Sequence, residues 1–340
     1  MIVDFRSDTL TRPTKDMLAA MMAAPVGDDV YGEDPSINAL EARLAQMFGF
    51  DSALFCPSGT MCNQIAIRIS TQPQDQVICD RRSHIYLYEG GGIAANSLAT
   101  VRLLDGPHGI LSPEMVETAI NPDDQHFPVS RLLALENTCN MGGGSIYQMG
   151  QISALTEIAR SHDLRMHLDG ARLFNAIVAA DQDTSSYGQY FDTISICLSK
   201  GLGAPVGSVL LCDAADYPKA RRVRKMMGGG MRQAGYLAAA GLYAIENHVA
   251  RLKKDHQRAE ALVLLLERLG WVKDTMPCES NIVGFLPDPT AGTYQDVIQK
   301  LEAQGILASG FGTGYVRLVT HLDIDDRGIE KTLSALSTLF

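Results

Sequence analysis

The chain has 340 residues, with 29 Lys and Arg against 39 Asp and Glu, so its formal net charge is −10. This length corresponds to about two domains, and the composition, 46% hydrophobic and 20% charged, argues against disorder. The acidic balance disfavours a nucleic-acid-binding surface, which needs a basic face.

No apolar run approaches the roughly 20 residues of a membrane helix. Charges at Asp4, Arg6 and Asp8 are unlike a signal peptide, and seven scattered cysteines are typical of reduced thiols. We therefore expect a cytoplasmic protein without nucleic-acid or membrane partners.

Seven short apolar segments, rich in β-branched residues, are predicted to be strands. Several are apolar throughout rather than alternating, which is typical of strands buried on both faces of a mainly parallel sheet. The predicted strands are Ala53–Cys56, Gln76–Cys79, Val101–Leu104, Arg131–Leu135, Arg165–Leu168, Thr193–Leu198 and Ser208–Cys212. Helical patterns lie between them, and this alternation predicts an α/β domain.

Two of the intervening helices have clear signals. Asp34 and Pro35 are a favourable N-cap and first helical residue, and the apolar periodicity that follows them ends at Gly49. The segment Gln151–His162 also places its apolar residues at helical spacing.

The last third of the chain has a different pattern. The stretch Gln233–Leu269 contains no proline and has long helical periodicity, so we expect it to span the junction between two domains. A small α+β domain should follow, formed by Trp271–Leu286, the helix Tyr294–Gln304, the strand Tyr315–Val319 and the helix Asp326–Leu339. We place the boundary near residue 246, which gives a large domain with an N-terminal arm over residues 1–245 and a small domain over residues 246–340.

Two predicted strands are followed by residues that could take part in catalysis. Lys200 comes after the strand Thr193–Leu198 and before Gly-Leu-Gly, and burial beside a strand disfavours a charged amine, as a nucleophilic or Schiff-base lysine requires. Asp169 ends another apolar strand, with Arg172 three residues later. Ligands bind beyond the carboxyl ends of parallel strands, where a carboxylate can hold a heterocyclic nitrogen protonated. Structural explanations also exist: a lysine that reaches solvent, and an Asp–Arg pair that fixes a loop.

Two further segments could bind a ligand. The turn with Ser58 and Thr60 follows a strand and opens a helix, so its free N–H groups and hydroxyls could bind phosphate, although both residues also serve as ordinary caps. It matches neither common nucleotide-binding fingerprint. His84 follows a strand and could stack on a planar ring or act as a base. His167 and Asp169 share one strand face, but two ligands do not define a metal site, so we predict no metal.

Together these segments supply, in chain order, a phosphate site, a ring-stacking histidine, a carboxylate and an amine, which are the contacts that pyridoxal phosphate needs. The sequence resembles the fold type I pyridoxal-phosphate enzymes, and more narrowly the low-specificity L-threonine aldolases. The stretches that carry the resemblance cover nearly the whole chain: Asp4–Thr9, Val26–Pro35, Pro57–Met61, Leu135–Thr138, His167–Arg172, Ser195–Gly207, Lys225–Gly235 and Arg317–His321. The resemblance implies a three-layer large domain with a mainly parallel central sheet, a small C-terminal α+β domain, and pyridoxal 5′-phosphate as cofactor.

The resemblance also implies residue roles on the cofactor side. Lys200 would form the Schiff base with the cofactor, Asp169 would pair with its ring nitrogen, and His84 would stack on the ring. The cofactor phosphate would be held by Ser58, Gly59 and Thr60, with a further contact from Arg232, given across a subunit interface.

On the substrate side, the resemblance makes Ser7 and Arg317 the clamp for the substrate carboxylate, a role that suits the two-point hydrogen bonding of arginine. Arg172 would lie near the cofactor's phenolic oxygen and the substrate, with Tyr31 and Glu89 as further neighbours of the substrate.

The implied reaction is the reversible retro-aldol cleavage of L-threonine, L-allo-threonine and other L-β-hydroxy-α-amino acids to glycine and an aldehyde such as acetaldehyde. His84 and His126 are the candidate bases for the β-hydroxyl proton, since histidine titrates near neutral pH. Family members are homo-oligomers, so a dimer or tetramer with its site at the dimer interface is expected. One departure is Cys139, which stands where the family often has histidine; the preferred side chain therefore stays open.

Three other interpretations compete with this one. A β-eliminating lyase or an aminotransferase of the same fold would hold the cofactor with the same residues, so only its products would differ. A silent α/β binding protein could retain the pocket without activity. A thiol enzyme using Cys139 or Cys197 would need a nearby histidine, and the sequence places none beside either residue.

Overall fold

The computed structural model describes residues 1–312 and 314–340. Over these residues the strands are β1 (Val3–Asp4), β2 (Ser52–Cys56), β3 (Gln76–Asp80), β4 (Thr100–Leu104), β5 (Ser130–Glu136), β6 (Arg165–Gly170), β7 (Thr193–Cys197), β8 (Ser208–Cys212), β9 (Val272–Thr275), β10 (Ile282–Pro287), β11 (Ile306–Leu307), β12 (Ser309–Phe311) and β13 (Tyr315–Val319). The α-helices are α1 (Lys15–Met22), α2 (Pro35–Phe48), α3 (Gly59–Ser70), α4 (His84–Leu87), α5 (Pro113–Glu117), α6 (Met149–Ser161), α7 (Leu173–Ala180), α8 (Tyr217–Met226), α9 (Gly235–Asn247), α10 (Leu252–Leu266), α11 (Tyr294–Ala303) and α12 (Asp326–Ser337).

Strands β2 to β8 form a sheet in the order β2-β8-β7-β6-β5-β3-β4 within the described residues. All of its neighbouring pairs are parallel except those of β8, which is antiparallel to both β2 and β7. These strands are the seven predicted from apolar segments, so the mainly parallel sheet is confirmed.

Helices cover both faces of this sheet because both faces are apolar. Along β5, Leu133 and Leu135 pack into the largest hydrophobic cluster with α2, α6 and α9. The alternate residues Leu132 and Ala134 pack on the other face with Ile67 of α3. Successive side chains of a strand point to opposite faces of the sheet, so one strand contributes residues to two hydrophobic layers. The expected three-layer α/β domain is confirmed.

Helix α2 shows how local sequence sets an element's bounds. The Asp34 side chain accepts hydrogen bonds from the amides of Ser36 and Ile37, Pro35 occupies the first turn, and Gly49 ends the helix at φ 74°. These are the N-cap, first-turn and C-terminal signals seen in the sequence.

The C-terminal part forms an antiparallel sheet in the order β12-β13-β10-β9, packed against α10, α11 and α12. The N-terminal arm joins this part: β1 pairs in parallel with β11, and Val3 and Phe5 are buried in the same hydrophobic cluster as Leu301 and Val316. The proline-free stretch from Gln233 is divided into α9 and α10. The position predicted for the boundary lies inside α9.

Among the described residues, no helix is both long enough and apolar enough to cross a membrane.

Candidate active site

Four predicted site segments meet at one edge of the central sheet. Because β3, β5, β6 and β7 are parallel, their carboxyl ends share that edge, and β2 points the same way since β8 is antiparallel to both of its neighbours. His84 follows β3, Asp169 lies in β6, Lys200 follows β7 and Ser58 follows β2. The topology therefore brings these residues together, as the sequence predicted.

Ser58, Gly59 and Thr60 form the N-terminus of helix α3. The Ser58 hydroxyl accepts a hydrogen bond from the amide of Met61 at 3.2 Å, which is an N-cap contact. A Cβ added to Gly59 would lie 2.5 Å from the Cys197 sulfur, so glycine lets the helix end pack closely on β7. The remaining free amides at this helix end are suited to binding a phosphate group.

Asp169 is buried and held in a fixed orientation. Its Oδ1 accepts a hydrogen bond from the amide of Ala171 at 3.1 Å, and its Oδ2 accepts one from Asn63 Nδ2 at 2.8 Å. Asn63 in turn accepts hydrogen bonds from the Ser195 hydroxyl and from His167 Nε2. Burial lowers the pKa of His167 to about 4, so this ring is neutral and its role is structural.

His84 is next to this network, and one of its ring nitrogens, Nδ1, bonds the buried Glu89. Its Nδ1 is 3.0 Å from Glu89 Oε1, and its backbone amide donates to Glu136 Oε2 at 2.7 Å. Burial alone would lower the pKa of His84, but the hydrogen bond to Glu89 and the charges of Asp169 and Glu136 raise it above its ordinary value. The His84 ring thus lies close to three acidic groups, and about a third of its side chain is exposed to the cleft.

A cleft of about 360 Å³, with His84 in its wall, lies between the central sheet, the N-terminal arm and the C-terminal sheet. It is lined by Ser7, Thr9, His84, Tyr88, Asn140, Met141, Arg172, Lys200, Ser309, Gly310, Phe311, Gly312 and Arg317. Lys200 makes no salt bridge with any residue that the structure describes. Its amine is thus available to a ligand in the cleft.

The two cleft arginines have different partners. Arg172 donates through Nε and Nη2 to the Asp8 carboxylate at 2.8 and 2.7 Å. Arg317 donates only to neutral oxygens, those of Arg6 (backbone), Ser309 and Asn140. Burial and the neighbouring Arg172 lower the pKa of Arg317 to about 10, which still leaves it cationic at neutral pH. Arg317 is the cation ready to receive a carboxylate.

Three residues with expected roles do not line this cleft. His126 lies in an exposed loop, where its Nδ1 is 2.6 Å from Asp124 Oδ1. Tyr31 is 76% exposed, and Arg232 is exposed and paired with Asp28. A single chain therefore does not bring their side chains to Lys200.

Glu89 is close to the site but is not on its surface. Its side chain is fully enclosed and contacts His84 from behind, so in this structure it is not exposed to a substrate in the cleft.

Glu136 and Asn140 were not assigned roles from the sequence. Burial and the nearby Asp169 raise the pKa of Glu136 to about 7, and its carboxylate accepts hydrogen bonds from the amides of both His84 and Asn140. The Asn140 side chain then accepts from Arg172 and Arg317. Glu136 thus ties together two loops that carry cleft residues.

Two other missed residues had weak signals in the sequence. Asn63 is a buried polar residue near the start of α3, on the side of the helix that faces the sheet, where it bonds Asp169 and Ser195. Asp8 lies in the arm, and its contact with Arg172 joins residues 164 positions apart. Helical spacing could have indicated Asn63, but no local pattern could have revealed the partner of Asp8.

The cysteines do not form an alternative catalytic centre. Cys139 is buried, and burial, with the nearby Glu136, raises the pKa of its thiol well above the ordinary value. Cys197 is buried beneath the start of α3. Buried thiols in apolar surroundings are poor nucleophiles, which disfavours the thiol-enzyme interpretation.

The donor set fits pyridoxal phosphate. A free amine, a histidine ring and an arginine line the cleft, while a buried carboxylate suited to a ring nitrogen and a helix N-terminus suited to phosphate lie at the same edge of the sheet. With the fold, this set defines a class: the fold type I pyridoxal-phosphate enzymes.

Comparisons with known proteins agree with this class. Residues 4–285 match the family model described as beta-eliminating lyase. The chain is 42% identical over 328 residues to the low specificity L-threonine aldolase of Escherichia coli strain K12, covering 95% of each chain. It is 38% identical over 338 residues to low-specificity L-threonine aldolase 1 of Arabidopsis thaliana, covering 98% of this chain and 94% of the relative. The chain belongs to the low-specificity L-threonine aldolase family.

The fold comparison is consistent with that assignment. The structure of the Leishmania major threonine aldolase matches with a TM-score of 0.86 and 22% identity, over 99% of both chains. At this identity the match establishes the shared fold.

Proposed function

We propose that this chain catalyses the reversible, pyridoxal-phosphate-dependent cleavage of L-threonine, L-allo-threonine and related L-β-hydroxy-α-amino acids to glycine and an aldehyde such as acetaldehyde. The observation that carries the proposal is that Lys200, His84 and Arg317 line one cleft. An amine, a base and a carboxylate-binding cation are the groups that this reaction needs from the protein. The aldolase relatives support the same activity.

Residues along the sheet edge would hold the cofactor. Lys200 would bind it covalently, Asp169 would face its ring nitrogen, and the start of α3 at Ser58, Gly59 and Thr60 would bind its phosphate. When bound, the cofactor supplies the electron sink that accepts the bonding electrons of the Cα–Cβ bond.

The opposite end of the cleft would bind the substrate. Arg317, assisted by Ser7, would receive the substrate carboxylate through two parallel hydrogen bonds. This fixes the rotation of the amino acid about Cα and so selects which of its bonds is broken. His84 would accept the proton of the β-hydroxyl group at its free ring nitrogen.

The same-fold alternative, β-elimination or transamination, is not favoured. The family model carries the name of the lyases, but the relatives that are 38–42% identical over nearly the whole chain are aldolases. We therefore interpret the shared cofactor residues as those of an aldolase.

Homo-oligomerisation would complete the site. We infer a dimer or tetramer because Tyr31, His126 and Arg232 are exposed and lie away from the cleft of their own chain. Their expected roles then require a neighbouring copy. We further propose a cytoplasmic location, and a division into a large domain over residues 1–245 and a small domain over residues 246–340, in which the arm spans both.

The activity can be tested directly from its products. Purified protein with pyridoxal phosphate and L-threonine should release glycine and acetaldehyde in equal amounts, and Lys200→Ala should release neither at a comparable rate. Lys253→Ala, which removes an exposed lysine of α10, is the matched control and should retain activity. Formation of 2-oxobutyrate instead would identify an eliminating enzyme, and a protein that never acquires the cofactor absorbance would be the silent binding protein.

A further inference from the structure

Glu89 is a buried carboxylate for which the proposed reaction has no direct use. Its side chain is 0% exposed, and both of its oxygens accept hydrogen bonds from side-chain amides. Oε1 accepts a hydrogen bond from Asn63 Nδ2 at 2.8 Å and Oε2 accepts one from Gln64 Nε2 at 2.6 Å. An enclosed carboxylate with these partners is not a substrate ligand.

The orientation of Asn63 shows that Glu89 is an acceptor. The Asn63 amide nitrogen lies 2.8 Å from both Glu89 and Asp169, while its oxygen receives the Ser195 hydroxyl at 2.6 Å and His167 Nε2 at 3.1 Å. The reverse orientation would place the amide oxygen against two carboxylates. Asn63 therefore donates one hydrogen to each acid and uses its whole bonding capacity.

The remaining contact of Glu89 is with His84 Nδ1, at 3.0 Å. A carboxylate has no hydrogen of its own and can only accept, so Nδ1 of the ring carries the hydrogen of this contact. When His84 is neutral, its lone pair is then on Nε2, and Nε2 bonds no residue that the structure describes.

We propose that Glu89 is a positioning residue for His84: it fixes the Nδ1–H tautomer so that Nε2 is the proton acceptor on the cleft side. Asn63 donates a hydrogen bond to both Glu89 and Asp169. It therefore orients Glu89, which bonds His84, together with Asp169, which would face the cofactor ring. The arrangement follows the logic of the acid that orients the histidine in hydrolase triads. Only the use of Nε2 on a β-hydroxyl proton depends on the proposed function.

The first test is a direct observation of the tautomer in the wild-type holoenzyme. Nitrogen-15 solid-state NMR of protein labelled at histidine distinguishes Nδ1–H from Nε2–H, and the His84 signals are assigned by their loss in His84→Asn. We expect Nδ1–H at a pH above the His84 titration. A neutral His84 protonated on Nε2 would overturn the proposal. This measurement needs no variant at Glu89 and no turnover, so its outcome is independent of whether threonine is the substrate.

The second test is Glu89→Gln, which keeps the shape and removes the charge. The tautomer preference should weaken, and the His84 titration should move to lower pH. The other charged groups that act on the His84 titration are unchanged in this variant: the acids Asp169 and Glu136 near the ring, and the cations Lys200 and Arg172 in the same cleft. The kcat for L-threonine should fall, by no more than the roughly 10²- to 10⁴-fold that a general base contributes, with KM unchanged.

Glu136→Gln is the matched control. This buried carboxylate bonds the backbone amide of His84 and not its ring, so its replacement should leave the Nδ1–H tautomer in place. If Glu89→Gln instead raises KM while tautomer and kcat stay as in wild type, Glu89 binds substrate and the proposal fails. If both variants change the tautomer equally, the effect comes from the loop and the proposal also fails.

Discussion

Asp8 and Arg172 form a buried, two-point ion pair that joins the N-terminal arm to the central sheet. Both side chains are nearly or fully enclosed, and the two N–O distances are 2.7 and 2.8 Å. Asn281, from the C-terminal sheet region, donates to the same carboxylate. Because Asp8 neutralises Arg172, Arg317 is the cleft arginine that has no acidic partner among the described residues.

Replacing Asp8 by Asn should destabilise the protein. The variant leaves the Arg172 guanidinium buried without its counter-ion, and breaking one side of such a pair typically costs about 3–5 kcal/mol. Urea unfolding at neutral pH measures the change. Asp181→Asn, at an exposed position, is the control and should unfold like wild type. Equal stability of the Asp8 variant and wild type would show that the pair contributes nothing net.

The same pair predicts a pH dependence. Burial alone would raise the pKa of Asp8, but Arg172 holds it well below its ordinary value of 3.8. A group with a depressed folded-state pKa contributes its stability above the unfolded value and loses it as pH falls towards the folded value. The stability difference between wild type and Asp8→Asn should therefore be constant at neutral pH and shrink below about pH 4. A difference that grows on acidification would contradict this sign.

Arg317→Lys should weaken substrate binding while the cofactor stays bound. Lysine keeps the charge but not the two-point geometry, and a charge-assisted hydrogen bond is worth about 1.5–3 kcal/mol. This corresponds to a loss of roughly 10- to 150-fold in kcat/KM, carried mainly by KM. Steady-state kinetics and cofactor absorbance measure the two effects, with the exposed Arg327→Lys as control. Lost cofactor absorbance with normal KM would assign Arg317 to the phosphate instead.

Local patterns in the sequence predicted the strands of the central sheet and the edge of that sheet where Lys200 and Asp169 lie. Strands buried on both faces have an apolar signal that needs no partner to be recognised, and Asp34 with Pro35 marked the start of α2 by local chemistry alone. Lys200 and Asp169 could be placed because parallel strands end at one edge. These are properties that short segments carry by themselves.

The missed features depend on contacts between distant segments. The enclosure of Glu89 arises from Asn63, 26 residues away, and the neutralisation of Arg172 from Asp8, 164 residues away. Sequence reasoning placed Glu89 beside the substrate because it could locate the residue near the site. It could not show that the side chain points away from the cleft, where it contacts His84. The N-terminal arm is likewise fixed to the C-terminal part of the chain by the pairing of β1 with β11. No local sequence pattern specifies this pairing.

The cleft predicts strict selection at Cα and loose selection at Cβ. Three points would fix the hand at Cα: the amino group, which replaces Lys200 on the cofactor, the carboxylate held by Arg317 with Ser7, and the Cα–Cβ bond, which must be aligned with the electron sink. D-threonine should therefore not be cleaved. At Cβ, threonine and allo-threonine differ in the exchange of hydroxyl and methyl. If His84 and His126 of a neighbouring copy approach Cβ from different sides, either hydroxyl meets a base, and the methyl contact alone is worth about 1–3 kcal/mol, or roughly 10- to 200-fold. Comparing kcat/KM for the three isomers tests both parts. Measurable cleavage of D-threonine would refute the first, and a preference well above roughly 200-fold would refute the second.

The His126 side chain is 75% exposed and lies outside the cleft of its own chain. If it serves as a base, it must act in the site of a neighbouring copy. His126→Ala and Lys200→Ala should then each be impaired alone, yet regain activity when co-refolded or co-expressed. A mixed dimer has one site with both Lys200 and His126 intact and one site with neither. Random pairing makes half of the dimers mixed, so about a quarter of all sites should be active. Full activity of His126→Ala alone would exclude a catalytic role for this residue. Two impaired variants that fail to complement each other, in dimers shown to be mixed, would place His126 and Lys200 in the same chain's site.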